Sequence, residues 1–168
     1  MKKIIVTLLI SAIFLTLTAC GNESGTKEES YNGLSYKYSD KAVRSESEYG
    51  IEYDYGNVKE SDANGFIITV NYKEYDPAIY ESGADMLTDW MIQISGNEEY
   101  YNLEDGSIVI DGNKALTYKY SLTPDSPVTC ESIFLLRGDK VLNISAYGIT
   151  NEDCAKELDS IITSMHIE

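Results

Sequence analysis

The sequence predicts an α+β domain, in which a mainly antiparallel β-sheet packs with two α-helices. The first observation is a series of short segments that alternate polar and apolar residues between turn residues, as antiparallel strands do. The second is that two stretches, at about residues 83–95 and after Asn151, repeat apolar residues at helical spacing. The third is the succession of strands, helix, strands and helix, which is typical of helices segregated from an antiparallel sheet.

The strands before the first helix are marked by alternation. Strands are predicted over Leu34–Tyr38, Gly50–Tyr55 and Phe66–Tyr72. The polar stretch Ser39–Glu48 between the first two is predicted to be a loop, and Asp62–Gly65 a turn.

The first helix is predicted over about residues 83–95. Asp76-Pro77 ends the preceding strand, and Ser82 offers a side-chain oxygen as N-cap, with Asp85 near the positive end of the helix dipole. Gly96 is a suitable C-terminal stop. The residues at helical spacing, with Trp90 beside them, are Ala84, Leu87, Met91 and Ile94.

The segment after this helix contains three further strand candidates. Tyr100–Leu103 and Ser107–Ile110 are predicted on either side of an Asp105-Gly106 turn. Ala115–Tyr120 follows a second turn, and a loop bracketed by Pro124 and Pro127 comes next.

The clearest hairpin joins Cys130–Arg137 to Lys140–Tyr147 through Gly138-Asp139. Pairing Arg137 with Lys140 sets Leu135 opposite Leu142, so one face of the hairpin is strongly apolar. The other face is mixed and carries Ser132, Phe134, Leu136, Val141, Asn143 and Ser145.

The last helix begins after Asn151, which is predicted to be its N-cap, and the chain then ends in a short extension beside the sheet. One face of this helix is apolar and is lined by Cys154, Leu158, Ile161, Ile162 and Met165.

The N-terminus has the pattern of an export signal. Lys2 and Lys3 precede an apolar run of about fourteen residues, shorter than the roughly 20 that span a bilayer, and Leu17-Thr18-Ala19-Cys20 follows. This pattern resembles the bacterial lipobox. The resemblance implies that a diacylglyceryl group is joined to Cys20, that palmitate or a similar acyl chain anchors the protein, and that residues 1–19 are removed.

The predicted organisation therefore has three parts. Residues 1–19 are a lipoprotein signal peptide, residues 20–31 a flexible acidic tether, and residues 32–168 a single α+β domain. The predicted location is the extracytoplasmic face of a bacterial cell membrane, with the lipid on Cys20 as the anchor.

The charge excludes nucleic acid as a partner. The chain has a formal net charge of −15, and the signal peptide contains none of its 28 acidic residues. Phosphate contacts need clustered Lys and Arg, which this sequence lacks. The acidity is typical of a surface protein that is kept soluble by its charge.

The folded part resembles the PsbP-like family, named after an extrinsic protein of photosystem II that has bacterial lipoprotein relatives. The segments that carry the resemblance are Gly33–Tyr38, the helix from Ser82 with Trp90, the Ile110–Ala115 turn and Leu158–Met165. The resemblance spans about residues 33–167 and implies a PsbP-like α/β/α sandwich. Because one fold serves many functions, it implies no activity.

The sequence contains no assembled catalytic or metal motif, so we predict a protein that is not an enzyme and needs no cofactor. His166 is the only histidine and is interpreted as a surface or strand-edge residue. The turns Asp62–Gly65 and Asp111–Asn113 have oxygen-bearing side chains but lack the spacing of a calcium loop. Most of the 14 tyrosines alternate within strands, which favours sheet packing over a ligand platform.

Two thiols remain once Cys20 is taken by lipid. The hairpin register sets Cys130 opposite Tyr147, at the end of the sheet where the helix with Cys154 begins. A bridge closing about 25 residues outside the cytoplasm would stabilise the fold by roughly 3–4 kcal/mol. Because side chains alternate along a strand, Cys130 lies on the face opposite Leu135, which disfavours a bridge to Cys154. The sequence leaves open a disulfide or two separate buried thiols.

These observations lead to two hypotheses of function and a less favoured third. The first is a non-enzymatic lipoprotein that binds an envelope protein of unknown identity or assists an assembly. The second is a small-ligand or ion-binding lipoprotein with a tyrosine-lined pocket between the sheet and the helix around Trp90. The third, an enzyme, would need a concave cluster of carboxylates.

Overall fold

The computed structural model describes residues 25–56, 65–126 and 128–168. In chain order the elements are β1 Thr26–Tyr31, β2 Leu34–Ser39, β3 Val43–Ser47, β4 Gly50–Asp54, β5 Ile67–Glu74, α1 Gly83–Ser95, β6 Tyr101–Ile110, β7 Asn113–Ser121, β8 Thr129–Arg137, β9 Lys140–Tyr147, α2 Glu152–Ser164 and β10 His166–Ile167.

Two antiparallel sheets and two helices make up the described part of the chain, which confirms the predicted α+β class. The larger sheet has the strand order β3-β4-β5-β9-β8-β7-β6, and the smaller one has β1-β2-β10. Helix α2 packs against β2, whereas α1 packs against β8 and β9 of the larger sheet.

The core lies between one face of the larger sheet and the layer formed by the smaller sheet and α2. Apolar residues from every other position of β4, β5, β8 and β9 meet Leu158 and Ile161 of α2 there. Three tyrosines of the alternating strands, Tyr36, Tyr38 and Tyr53, are also buried in this core, as the packing interpretation predicts.

The local signals for helices and hairpins are confirmed. Helix α1 spans Gly83–Ser95, and the Ser82 side chain accepts a hydrogen bond from the Asp85 backbone N–H. Asn151 caps α2 by accepting from the Asp153 backbone N–H. The β8–β9 register also agrees with the prediction.

The predicted tether is wrong over its second half, because Thr26–Tyr31 forms β1 and pairs along its whole length with β2. Side chains reinforce this pairing. Glu29 accepts hydrogen bonds from the Tyr53 hydroxyl and from the Arg44 guanidinium, and Tyr31 packs against the core. The paired part of the domain therefore begins at Thr26, and only Gly25 of the predicted tether is otherwise described.

Two other loops and turns are corrected. Part of the predicted loop Ser39–Glu48 forms β3, a fully exposed edge strand that pairs with β4. The predicted Asp105-Gly106 turn is instead the middle of β6, which runs unbroken from Tyr101 to Ile110 with one irregularity near its start. The predicted turn at Asp62–Gly65 falls mostly outside the described residues.

Candidate binding cleft

A cleft of about 330 Å³ lies on the face of the larger sheet that is turned away from the core. Because side chains alternate across a strand, Asn71 points to this face while its neighbour Val70 is buried in the core. Helix α1 forms one side of the cleft through Trp90, Gln93 and Ile94, which follow one another at helical spacing.

The floor of the cleft is polar and is supplied by three central strands. Asn71 of β5 is the register partner of Asn143 of β9, and Ser145 of β9 is the partner of Ser132 of β8. Three of these four residues, Asn71, Ser132 and Ser145, are buried. Buried polar groups of this kind call for hydrogen-bond partners.

Most of these floor residues are joined in one chain of hydrogen bonds. The Tyr120 hydroxyl lies 3.3 Å from Ser132 Oγ, which lies 3.2 Å from Ser145 Oγ. Ser145 Oγ donates to Asn143 Oδ1 at 3.3 Å, and Asn143 Nδ2 donates to the Ile133 carbonyl at 3.4 Å. These distances are longer than the usual 2.7–3.0 Å or so, so the bonds are weak.

Asn71 differs from its neighbours, because its side-chain oxygen Oδ1 is buried and has no hydrogen-bond partner within residues 25–56, 65–126 and 128–168. The residue is only 8% exposed. Leaving a buried acceptor unsatisfied costs about 1–3 kcal/mol. Such a group in a native fold calls for an explanation, and a donor from a bound ligand or water would supply the missing hydrogen bond.

The walls of the cleft are aromatic. The rings of Tyr100 and Tyr120 stack with their centroids 4.3 Å apart. Trp90 lies beside Lys73, whose Nζ is 5.4 Å from the centre of the Trp90 ring. Tyr49, which is 74% exposed, and Tyr147 complete the walls.

The cleft carries little charge. Among the described residues that line it, Lys73 alone has a formal charge. Burial raises the pKa of Tyr120 and of Tyr147, so both hydroxyl groups stay protonated at neutral pH. The site therefore offers aromatic faces, neutral hydrogen-bonding groups and one ammonium group.

The position of this cleft agrees with the tyrosine-lined pocket that the sequence predicts around Trp90. The sequence also placed Ser132, Asn143 and Ser145 on one face of the hairpin, but not as a site. Asn71 was missed, because only the pairing of β5 with β9 brings it beside Asn143.

Cys130 and Cys154 are both buried and both free in the structure, which corresponds to the alternative of two separate thiols. The two thiols are kept apart because Cys130 and the core residue Leu135 lie on opposite faces of β8. Cys154 packs in the core with Leu158, whereas Cys130 is in register with Tyr120 and Tyr147 on the cleft side of the sheet.

We expect Cys130 and Cys154 to resist thiol reagents in the native protein and to react after unfolding without reductant. Burial raises the pKa of Cys130 to about 11 and that of Cys154 to about 12, so the reactive thiolate is scarce at pH 8. Mass spectrometry after labelling counts the modified thiols. Two unreactive cysteines in unfolded, unreduced protein would contradict this and indicate a bridge.

His166 is exposed on β10, and its Nδ1 lies 3.2 Å from Asp111 Oδ2. The same Asp111 oxygen accepts a hydrogen bond from the Ile167 backbone N–H at 2.9 Å. The Ile167 N–H, and then the His166 side chain, hold the pKa of Asp111 below its usual value. Asp111 of the predicted turn thus fixes the C-terminal strand.

Within residues 25–56, 65–126 and 128–168, no group of three or more His, Cys, Asp or Glu side chains is arranged to hold a metal ion. The same residues include no helix with the length and hydropathy of a membrane span. Cys20, the predicted lipid attachment site, lies outside the described residues.

No protein-family model and no curated protein sequence matches the chain. Among solved structures, the chain is similar to cyanobacterial PsbP from Synechocystis sp. PCC 6803, with a TM-score of 0.56 and 14% identity over 90% of this chain and 99% of that one. The domain has the PsbP-like fold. At this identity the likeness concerns the fold alone.

Two more distant similarities to the PsbP-like domain were found. LpqN, involved in cell envelope biogenesis of Mycobacterium tuberculosis, gives a TM-score of 0.40 and 12% identity, over 88% of this chain and 87% of that one. A protein from Bacteroides thetaiotaomicron VPI-5482 gives 0.39 and 10%, over 86% of this chain and 48% of that one.

Proposed function

We propose that this protein is a lipid-anchored binding module of the bacterial cell envelope. In this proposal the diacylglyceryl group on Cys20 holds it on the extracytoplasmic face of the membrane. The PsbP-like domain binds a small neutral ligand in the cleft beside Trp90 without transforming it. The observation that carries the binding role is the buried Asn71 Oδ1 on the cleft floor, which has no hydrogen-bond partner in the described part of the chain.

The chemistry of the cleft supports ligand binding over cation binding. Cations such as Ca²⁺ take six to eight oxygen ligands, with carboxylates prominent among them. The described residues of the lining include no carboxylate and do include Lys73. A neutral molecule with hydrogen-bonding edges suits this surface better, since concave sites combine apolar walls with a few placed polar groups.

An envelope protein partner is the second candidate, and one specific observation favours it. Strand β6 is an outer edge of the larger sheet and leaves large apolar side chains exposed at Tyr101, Leu103 and Val109. An exposed edge strand presents unpaired backbone groups to which another chain can add a strand. This surface is separate from the cleft, so the two roles are compatible.

The Asn71→Leu variant tests whether the cleft floor is kept polar at the expense of stability. Leucine fills a similar volume without a buried, unsatisfied acceptor, so we expect the free energy of unfolding to rise by about 1 kcal/mol. Chemical denaturation measures the change.

Asn143→Leu is the matched control, because Asn143 is the register partner of Asn71 but has both side-chain groups hydrogen-bonded. We expect this variant to lose about 1 kcal/mol. If Asn71→Leu is destabilised as much as Asn143→Leu, then Asn71 is a structural residue and the cleft floor gives no support for a binding site.

A further inference from the structure

We propose that the ligand of the cleft is an uncharged carbohydrate, bound with the edge of its sugar ring on the polar floor and a ring face on the aromatic walls. This inference rests on the proposed binding function and names the class of ligand. It follows from three properties of the cleft, which are its unmet hydrogen-bonding capacity, its aromatic surface and its charge.

The floor needs a ligand rich in hydroxyl groups. Asn71 Oδ1 is an acceptor with no donor among the residues that the structure describes, so an O–H or N–H group of the ligand would complement it. Ser132 and Ser145 are held by hydrogen bonds of 3.2–3.3 Å, and each hydroxyl oxygen has capacity to accept another. A sugar hydroxyl donates and accepts at once, and therefore complements both kinds of group.

The walls need a ligand with apolar faces. An aromatic ring carries partial negative charge on its face, and so attracts the slightly positive C–H groups that line one side of a pyranose ring. Tyr49 is exposed and Trp90 half-buried, whereas Tyr120 is buried and stacks on Tyr100. Tyrosine adds a hydroxyl group at the edge of each such surface, where sugar hydroxyls emerge.

The charge distribution disfavours ionic ligands. The lining has no carboxylate among the described residues to bind a cation, and its one cationic group, Lys73, already lies beside the Trp90 ring. The whole chain carries a net charge of −15, which repels anions over a Debye length of about 8 Å. The cavity of about 330 Å³ is near the lower end of ligand sites, and suits about one or two sugar rings.

Titration of the folded protein with neutral sugars tests the proposal. The panel consists of glucose, galactose, N-acetylglucosamine, maltose and cellobiose, each raised to about 50 mM so that millimolar Kd values are measurable. Trp90 is the only tryptophan, so its fluorescence reports on the cleft itself, and calorimetry gives the affinity. Adenosine and uridine form a second panel of neutral ligands that stack but lack a hydroxylated pyranose.

We expect at least one sugar to bind and to change the Trp90 emission. Tyr49→Ala should weaken that binding about three- to tenfold by removing a stacking surface. Because the Tyr49 side chain is 74% exposed, the substitution should leave the fold intact. Ile79→Ala is the matched control, since Ile79 is 70% exposed and lies outside the cleft lining, and it should leave the affinity unchanged.

Two outcomes would overturn the carbohydrate assignment. One is that no sugar of the panel binds. The other is that a sugar binds equally well to the wild type, Tyr49→Ala and Asn71→Leu, which would place it elsewhere on the surface. If no sugar binds but the nucleosides do, the cleft remains a binding site and only the ligand class is wrong. The same holds if no sugar binds and Asn71→Leu is more stable than the wild type.

Discussion

The Cys20→Ala variant is expected to incorporate no labelled palmitate and to retain residues 1–19. The sulfur of Cys20 is the atom that would carry the diacylglyceryl group, and cleavage before this residue follows acylation in the lipobox pathway that the sequence resembles. Each buried CH₂ contributes about 0.8 kcal/mol, and two chains give stable anchoring where one does not. Loss of the Cys20 sulfur is therefore expected to abolish lipid attachment completely.

Metabolic labelling and intact-mass measurement of membrane fractions distinguish the outcomes. Cys130→Ala is the control, because it removes a different thiol and should leave both labelling and processing unchanged. Wild-type protein that still carries Met1, or that has an unmodified thiol at its processed end, would refute the anchor.

Strand β1 changes the geometry of this proposed anchor. With β1 beginning at Thr26, only five residues separate Cys20 from the paired part of the domain. Five residues reach at most about 17 Å when fully extended. Thr26, the first residue of β1, is the register partner of Ser39 at the end of β2. The Asp40 backbone N–H donates a hydrogen bond to the Gly25 carbonyl beside this pair. We expect this end of the domain to face the bilayer.

Local chemistry made some elements predictable. Helix α1 has a side-chain cap at Ser82 and a stop at Gly96, and both signals lie within a few residues of the helix. The β8–β9 hairpin has a two-residue turn that fixes its register, so one pairing determines all the others. Neither feature depends on distant parts of the chain.

The missed strands lack such signals. Strand β3 is exposed on every residue, so no apolar alternation marks it, and its pairing with β4 holds it in place. Strand β1 has the sequence of a polar linker. It is held in the fold by contacts that are distant in sequence, such as the hydrogen bonds that Glu29 accepts from Tyr53 and Arg44. Alternation of polar and apolar residues marks strands with one buried face, and these two edge strands bury little.

The cleft was predictable only in part, because some of its residues are marked by local patterns and others are brought together by strand pairing. The clustering of tyrosines and the position of Trp90 indicated an aromatic surface next to α1. The polar floor, however, depends on Asn71 meeting Asn143 across a separation of 72 residues in sequence. No local pattern reports that contact, nor that the Asn71 amide oxygen is left without a hydrogen-bond partner among the described residues.

Gly50→Ala is expected to lower the free energy of unfolding by roughly 3 kcal/mol or more. Gly50 begins β4 with φ at +111°, and a Cβ there would clash with the Val70 carbonyl oxygen and lie 3.0 Å from Asn71 Cα. Relieving the clash means moving β4 away from β5. Because Asn71 lies on the cleft floor, the same movement should weaken ligand binding.

Gly56→Ala separates the two sources of this effect. Gly56 also has φ at +111°, but no described atom lies within 4 Å of the Cβ that alanine would add. It should therefore show only the cost of the backbone conformation, about 1–2 kcal/mol. Denaturant unfolding of both variants gives the comparison. Equal losses of unfolding free energy would mean that the close approach of β4 to Val70 and Asn71 does not constrain the cleft. A larger loss at Gly50 would mean that this approach helps to hold Asn71 in place.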